Sequence, residues 1–440
     1  MRTRQNSILL IAVAAAVPYG VLLQGFLGGS WYTFFHPYSL GMVFGLSAWF
    51  LFCASLLLAA RVRFLERRLG QDRLLGLHRY AALSGMVLGC LHAAFKTFFF
   101  PEFTVAHYTG GAGFGLILLL AIPSAVVMAA MVPDRPVWLG RCKQRIRSAV
   151  RYSAMKGLHN LLPAAVAILM VHVLLAAPTA ENRLRPLLIL ATGLPALSLW
   201  LDHKVLRPLR AARGTITQVA ALSPSLLSVS FRISRPLRAI PGQFGYFRVR
   251  SPRTGREEHP LTFAAPLENR NGELVVRREG RWTEALAFCS AGSEIRLDGP
   301  YGAFTFDEER PMLWIAGGVG ITPFCARIRA AAQGSAPLRH PVTLLWSAAT
   351  AQEMPFREEF LAYAAGEHRF CFIPYLTRES GGRRLTPPDI AAALRVLEEA
   401  GGAPCSVWFC GSRPLRAVVK AACVAAGVFR GRFHYEDFSV

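Results

Sequence analysis

LHRYAALSGMVLGCLH, residues 77–92, is the stretch on which the reading of this chain turns. It is apolar along most of its length, yet it carries an imidazole near each end, His78 and His92. Ionisable groups are costly inside a bilayer and usually functional there. A second run, KGLHNLLPAAVAILMVH (156–172), repeats the pattern with His159 and His172.

Both runs belong to a series of six apolar segments, near 7–24, 39–60, 76–98, 112–132, 157–177 and 186–201. Most approach the ~20 residues that cross a bilayer as a helix. The links between them alternate in charge. RVRFLERRLGQDR (61–73) and PDRPVWLGRCKQRIRSAVRYSAMK (133–156) are strongly basic, while LGGSWYTFFHPYS (27–39) and PEFTVAHYTG (101–110) have no Lys or Arg. Positive loops stay inside, so an integral protein of the inner or plasma membrane is expected, with six spans and both termini cytosolic. The link APTAENRLR (177–185) is the exception, with two arginines outside. Arg2 and Arg4 precede the first run and no small-residue cleavage site follows it, so no cleavable signal peptide is expected.

The composition agrees. Hydrophobic residues make up 53% and charged residues 17%, and the net charge is +22. Many basic residues flank apolar runs, which points to a membrane surface and not to nucleic acid. The nine cysteines include no CxxC pair, so neither a disulfide framework nor a zinc or iron–sulfur site is expected.

The third and fifth runs cross in the same direction. His78 and His159 therefore fall near the cytosolic face, and His92 and His172 lie toward the outer face. Fourteen helical residues rise ~21 Å and thirteen ~19.5 Å. Two opposed imidazole pairs at matched depths suit two stacked b-type haems, with all four histidines as iron ligands. Helix packing is the competing reading for any one of them; four paired by depth favour ligation. On an ideal helix fourteen steps leave the rings about 40° apart, but thirteen leave them about 140° apart. Pro163 lies between His159 and His172 and can kink and re-phase that helix. His36 and His107, in outer loops, and His203, at a helix exit, are weaker candidates.

After DHKVLRPLR (202–210) the composition changes. Short β-rich runs such as LLSVSFRIS (226–234) and GYFRVR (245–250) appear between Pro and Gly turns. From about Met312 apolar strands alternate with helical stretches, and MLWIAGGVG, VTLLWSAAT, RFCFIPYLT and CSVWFCGS read as ends of parallel strands. IAGGVGITPF (315–324) has a physical logic of its own. Glycines let the backbone approach a phosphate, and a helix opening near Thr322 and Pro323 turns its amides toward the anion.

The order PGQFGYF, HPLT, GRWTEAL, DGPYG, AGGVGITPF, CG and an acidic–aromatic end resembles the ferredoxin–NADP reductase family over residues 213–440. The resemblance implies a flavin barrel followed by a nicotinamide-binding domain. It implies FAD binding by His259, Pro260 and Thr262, and by Gly280, Trp282 and Thr283. It implies coenzyme binding by Gly317, Gly318, Gly320, Thr322, Pro323, Ser347, Cys410 and Gly411. Phe438, with Glu436 beside it, would cover the flavin until nicotinamide displaces it. Thr262, Cys410 and Phe438 are the positions implied at the flavin–nicotinamide exchange. The chain departs from the family at Leu261, where an aromatic is usual, at Ser412 in place of proline, and in the SAAT segment (347–350). Arg378 matches an arginine that relatives place near the 2′-phosphate, and a guanidinium suits a dianion, so NADPH is expected, with NADH as the alternative.

Six apolar helices, two histidine pairs and then the flavin and nicotinamide modules together resemble the NADPH oxidase and ferric reductase superfamily. The implied organisation is a six-helix di-haem domain (1–210), an FAD-binding β-barrel (211–307) and an α/β NAD(P)H domain (308–440). The implied activity carries electrons from cytosolic NADPH through FAD and both haems to an outer acceptor, ferric chelate or oxygen. His107, Arg183 and Arg185 are outer basic groups that suit an anionic acceptor. Membrane lipid is the expected surroundings, with no nucleic acid and no obligate protein partner. The alternatives are an electron donor for a periplasmic or membrane redox partner, and a membrane-anchored flavoreductase without haem.

Overall fold

The computed structural model describes residues 19–23, 35–101, 103–128, 152–176, 179, 183–255, 257–306, 309–429 and 431–436. Most of the first expected span, most of the basic link at 133–156, and Phe438 lie outside the described residues. The contacts divide the chain into two units, Met1–Val62 with Arg73–Leu206, and Arg63–Asp72 with Arg207–Val440. Residues 63–72 thus group with the C-terminal unit, which the linear domain reading did not anticipate.

The N-terminal helices are α1 (Pro37–Ala59), α2 (Arg63–Leu69), α3 (Gln71–Phe99), α4 (Val105–Met128), α5 (Tyr152–His159), α6 (Leu162–Leu175) and α7 (Leu184–Leu201). Among the described residues, five stretches are long and apolar enough to cross a membrane: Pro37–Ala59, Arg73–Phe99, Val105–Val126, Ala154–Leu175 and Leu184–Arg210. α1 is the most buried of them. Its Trp49, Phe52, Cys53 and Leu56 form one core with Ile117, Val166, Leu169 and Ile189. In lipid, helices associate by close packing and not by the hydrophobic effect, which favours small residues at contacts. A Cβ on Gly85 would come 2.9 Å from the Phe52 ring, and one on Gly193 would come 2.8 Å from the Trp49 ring. Val87, Leu119 and Leu187 face outward, as lipid contact allows.

In the C-terminal unit a six-stranded antiparallel sheet has the order β4-β3-β6-β1-β2-β5. Its strands are β1 (Ala212–Ser223), β2 (Leu226–Ile233), β3 (Phe244–Val249), β4 (His259–Thr262), β5 (Asn271–Arg277) and β6 (Glu294–Tyr301). Just past β4, a bridge between Phe263 and Leu274 and a bond from Ala264 N–H to the Glu273 carbonyl (2.8 Å) reach β5. The sheet therefore curls around Ile216, Phe231, Phe247, Leu274, Ile295 and Leu297. Period-two sequence drives this: along β6, residues 295, 297, 299 and 301 are buried and their neighbours are not. The short helix α8 (Arg281–Leu286) covers one end with Trp282 and Leu286.

The second sheet is parallel, in the order β11-β10-β7-β8-β9. Its strands are β7 (Met312–Gly317), β8 (Val342–Ala348), β9 (Phe370–Leu376), β10 (Ser406–Cys410) and β11 (Phe433–Glu436). Helices α9 (Thr322–Ala332) and α10 (Arg357–Gly366) cover one face, meeting Trp314, Leu344, Trp346 and Trp408. Helices α11 (Pro387–Gly401) and α12 (Arg413–Ala425) cover the other, meeting Leu313, Ile315, Val407 and Phe409. Burial on both faces is why β7, β8 and β10 read as nearly unbroken apolar runs. Arg329 of α9 joins the two sheets. It donates to Glu273 of β5 (2.7 Å), to the Ala264 carbonyl (3.2 Å) and through two nitrogens to Glu359 of α10 (2.8 and 2.9 Å).

Candidate functional site

His78, His92, His159 and His172, on the apolar helices, meet as the two expected pairs. The ring centroids of His78 and His159 are 6.2 Å apart with planes at 76°, and those of His92 and His172 are 6.0 Å apart at 66°. Two imidazoles on opposite sides of one metal have this separation: bonds of ~2 Å plus ~1.1 Å from each nitrogen to its ring centre sum to ~6 Å. Among the described residues no group of three or more His, Cys, Asp or Glu could hold a metal by itself. A pair therefore suits a metal that brings its own equatorial ligands, as haem iron does.

His78 and His92 lie on the unbroken α3, so their spacing is the ideal one. His159 ends α5, and a turn at Asn160–Leu161 precedes α6, with Pro163 in its first turn. The interruption re-phases the chain, which is how a thirteen-residue spacing serves the same two pairings. His92 Nδ1 lies 2.7 Å from the Gly41 carbonyl, His172 Nδ1 2.7 Å from that of Ala106, and His78 Nδ1 2.9 Å from that of Ser55. A carbonyl can only accept, so these three Nδ1 atoms carry the proton and Nε2 keeps a lone pair available for a ligand. His159 Nδ1 is buried with no hydrogen-bond partner among the described residues. Of the other histidines, His36 caps α1 by accepting from Tyr38 N–H (3.3 Å), His107 lies in the first turn of α4, and His203 is buried in the turn after α7.

The residues expected to bind the coenzyme gather at the C-terminal end of the parallel sheet. Gly317 pairs in register with Ser347, and Cys410 pairs with Ala316 and with Glu436. The strand order reverses between β7 and β10, and such a switch point is where open α/β sheets bind ligands. Gly318 has φ +55° and begins the 3₁₀ turn Gly318–Ile321, and α9 then opens on Thr322 and Pro323. The two glycine motifs touch backbone to backbone: a Cβ on Gly320 would strike the Cys410 carbonyl, and one on Gly411 would come 3.0 Å from Gly317 N. Arg378 follows β9, and its N–H donates to the Ala349 carbonyl (2.9 Å), so it lies beside the SAAT segment. Trp346 Nε1 donates to the Gly318 carbonyl (3.0 Å) and steadies the turn. Arg277 of β5 also reaches it: a Cβ on Gly318 would lie 2.9 Å from Arg277 Nη2. Sequence reading missed Trp346 and Arg277; the only signal was an arginine pair inside VVRREG.

His259, Pro260 and Thr262 lie on β4, with Thr262 opposite Phe244, which in turn pairs with Tyr301. His259 stacks on Trp282 at 4.0 Å and 26°. Gly280, at φ +124°, caps α8, and Thr283 Oγ1 donates back to the Gly280 carbonyl (3.0 Å). The unusual Leu261 packs beside the curled sheet's core. The aromatics near Thr262 are instead Phe244, Tyr246 and Tyr301, which sequence reading did not single out. Tyr301 donates to Asp298 (2.9 Å), and burial, then that carboxylate, pushes its phenol up to about 12. Glu66 of α2 is buried, and its Oε1 accepts from Gly302 N–H (2.7 Å). Glu436 ends β11, while Phe438 lies outside the described residues.

The oxidoreductase NAD-binding domain family matches residues 314–421. The chain is 24% identical to the electron transfer component of toluate 1,2-dioxygenase from Pseudomonas putida, over 52% of this chain and 67% of that protein. It is 31% identical to ferric reduction oxidase 4 from Arabidopsis thaliana, over 31% of this chain and 21% of that protein. It spans 65% of a Rhodococcus jostii propane 2-monooxygenase reductase component and 50% of a Pseudomonas putida naphthalene dioxygenase reductase component. It is 30% identical to ferredoxin–NADP reductase B from Sorangium cellulosum, over 40% of this chain and 75% of that protein. With the switch-point glycines, the curled antiparallel sheet and this likeness together, the chain belongs to the ferredoxin–NADP reductase family of NAD(P)H-dependent oxidoreductases.

Proposed function

We propose that the chain is a six-span membrane oxidoreductase that moves electrons from cytosolic NADPH, through FAD in a β-barrel and two b-type haems, to ferric chelate or oxygen on the outer face. One observation carries this reading: two imidazole pairs at metal-bridging separation stand in an apolar helix bundle fused to a reductase module. When bound, FAD would convert a two-electron donor into single electrons and haem would relay them.

The chain's own residues hold and orient. His78 with His159, and His92 with His172, would hold the two haem irons through their imidazoles. The amides of the Gly317–Ile321 turn and of the first turn of α9 would take the coenzyme pyrophosphate, with Arg378 on the ribose phosphate. Thr262, His259, Trp282 and Gly280 would line the flavin, and Cys410 would border the nicotinamide. Tyr301, held neutral beside Asp298, adds no charge there.

An anaerobic visible spectrum of the purified protein with FAD, before and after NADPH, tests this. Sharp reduced b-type bands on NADPH addition are expected, and air or ferric chelate should reoxidise them. A protein without such bands even in dithionite would leave a membrane-anchored flavoreductase.

A further inference from the structure

Three of the four intramembrane histidines spend Nδ1 on a helix backbone, and the outer pair does so by one device used twice. Gly41 and Ala106 provide the carbonyls for His92 and His172, at 2.7 Å in both cases. Each carbonyl lies four residues before a glycine, Gly45 on α1 and Gly110 on α4. A Cβ on Gly45 would come 2.6 Å from His92 Nδ1 and 2.8 Å from Cε1. A Cβ on Gly110 would come 2.7 Å from His172 Nδ1 and 2.8 Å from Cε1. No real Cβ tolerates such contacts, so the missing side chain is what lets each ring lie flat enough on its helix to reach the carbonyl one turn away.

The inner pair differs. His78 Nδ1 lies 2.9 Å from both the carbonyl and the hydroxyl of Ser55, and the residue four places on is Ala59. Gly41 and Ser55 are fourteen residues apart, as are His78 and His92. α1 therefore serves both histidines of α3, but with a glycine notch only at the outer one.

We propose that Gly45 and Gly110 are positioning residues of the outer pair. They seat His92 and His172 so that Nδ1 is committed to the helix and Nε2 is the ligating nitrogen. This rests on the di-haem reading. The notch makes the ring's orientation a property of the neighbouring helix, since the hydrogen bond made by one ring nitrogen sets which nitrogen is left to ligate.

The test uses the full chain in detergent and four variants: Gly45→Ala, Gly110→Ala, and the controls Gly111→Ala and Gly115→Ala. The controls lie on α4, where a Cβ meets nothing within 4 Å. Haem per flavin is read from the pyridine haemochrome spectrum, and midpoint potentials from a redox titration. Wild type and both controls should hold two haems, while Gly45→Ala and Gly110→Ala should each lose one or shift one midpoint, leaving the other unchanged. Both glycine variants keeping two haems at wild-type potentials would overturn the proposal alone. A wild type without haem would refute the di-haem reading and the proposal with it. If a notch variant does not accumulate, it is made in haem-starved cells. Accumulation there supports a clash at the ligand, and failure there overturns the proposal, because the clash then acts on the bundle itself.

Discussion

Gly320→Ala tests the contact on which the nucleotide site is built. The Cβ would strike the Cys410 carbonyl, with the carbonyl carbon at 2.6 Å and Gly411 N at 3.0 Å. These are backbone atoms at the end of a strand paired on both sides, so no side chain can swing away. Ordinary contact begins at 3.4 Å. The turn and β10 must therefore part by 3.4 − 2.6, about 0.8 Å, at the carbon alone. Overpacking of this kind costs about 1–3 kcal/mol. If the displaced turn passes that cost to phosphate binding, the KM for coenzyme rises about 5- to 160-fold. The assay is steady-state NADPH oxidation with ferricyanide, paired with a thermal melt. Gly366→Ala, at the end of α10 with open space around it, is the matched control and should change neither. A Gly320→Ala protein with wild-type KM and wild-type Tm would show that the two motifs do not pack as described.

Three further outcomes are expected. Trp346→Phe removes the bond to the Gly318 carbonyl and should cost about 1 kcal/mol, read as a lower Tm with a modest rise in coenzyme KM; an unchanged Tm would count against that bond. Arg378→Ala should raise the KM for NADPH about 10- to 150-fold, the worth of a charge-assisted bond, and spare NADH; equal effects on both would remove Arg378 from the 2′-phosphate. The Tyr301 phenol is raised to about 12 from ~10 when unfolded, so the folded state holds a proton that the unfolded state releases. The stability linked to it is fully present below pH ~10 and is lost as pH rises toward ~12. Denaturant midpoints at about pH 9 and about pH 11 should fall less in Tyr301→Phe than in wild type, and equal falls would show that Tyr301 does not titrate this way.

Much of the site was legible because its chemistry is local. GGVGITP and CG are strand-end motifs, the alternation of strand and helix predicts a parallel sheet with those two motifs at one edge, and HPLT is itself a short strand of the antiparallel sheet. Histidine spacing along α3 needs only the rise of a helix. The thirteen-residue interval from His159 to His172 was harder, because the turn at Asn160–Leu161 changes the helical phase in a way that a proline signals without fixing its size.

Other features depend on residues far apart in sequence. Arg277 meets Gly318 across 41 positions and Glu66 meets Gly302 across 236; neither partner carries a local signal. Leu261 looked like a gap in a flavin motif, and the curled sheet instead brings Phe244, Tyr246 and Tyr301 beside Thr262.

By itself, then, the sequence determined what periodicity and composition can encode: an apolar helical half with histidines at two depths, an antiparallel run of strands, and a glycine-punctuated parallel sheet. Only the tertiary structure decided which backbone carbonyls hold three of the imidazoles, which glycines make room for two of them, and which strand ends touch. Those choices depend on steric fit and hydrogen-bond geometry between segments that the chain brings together only when folded.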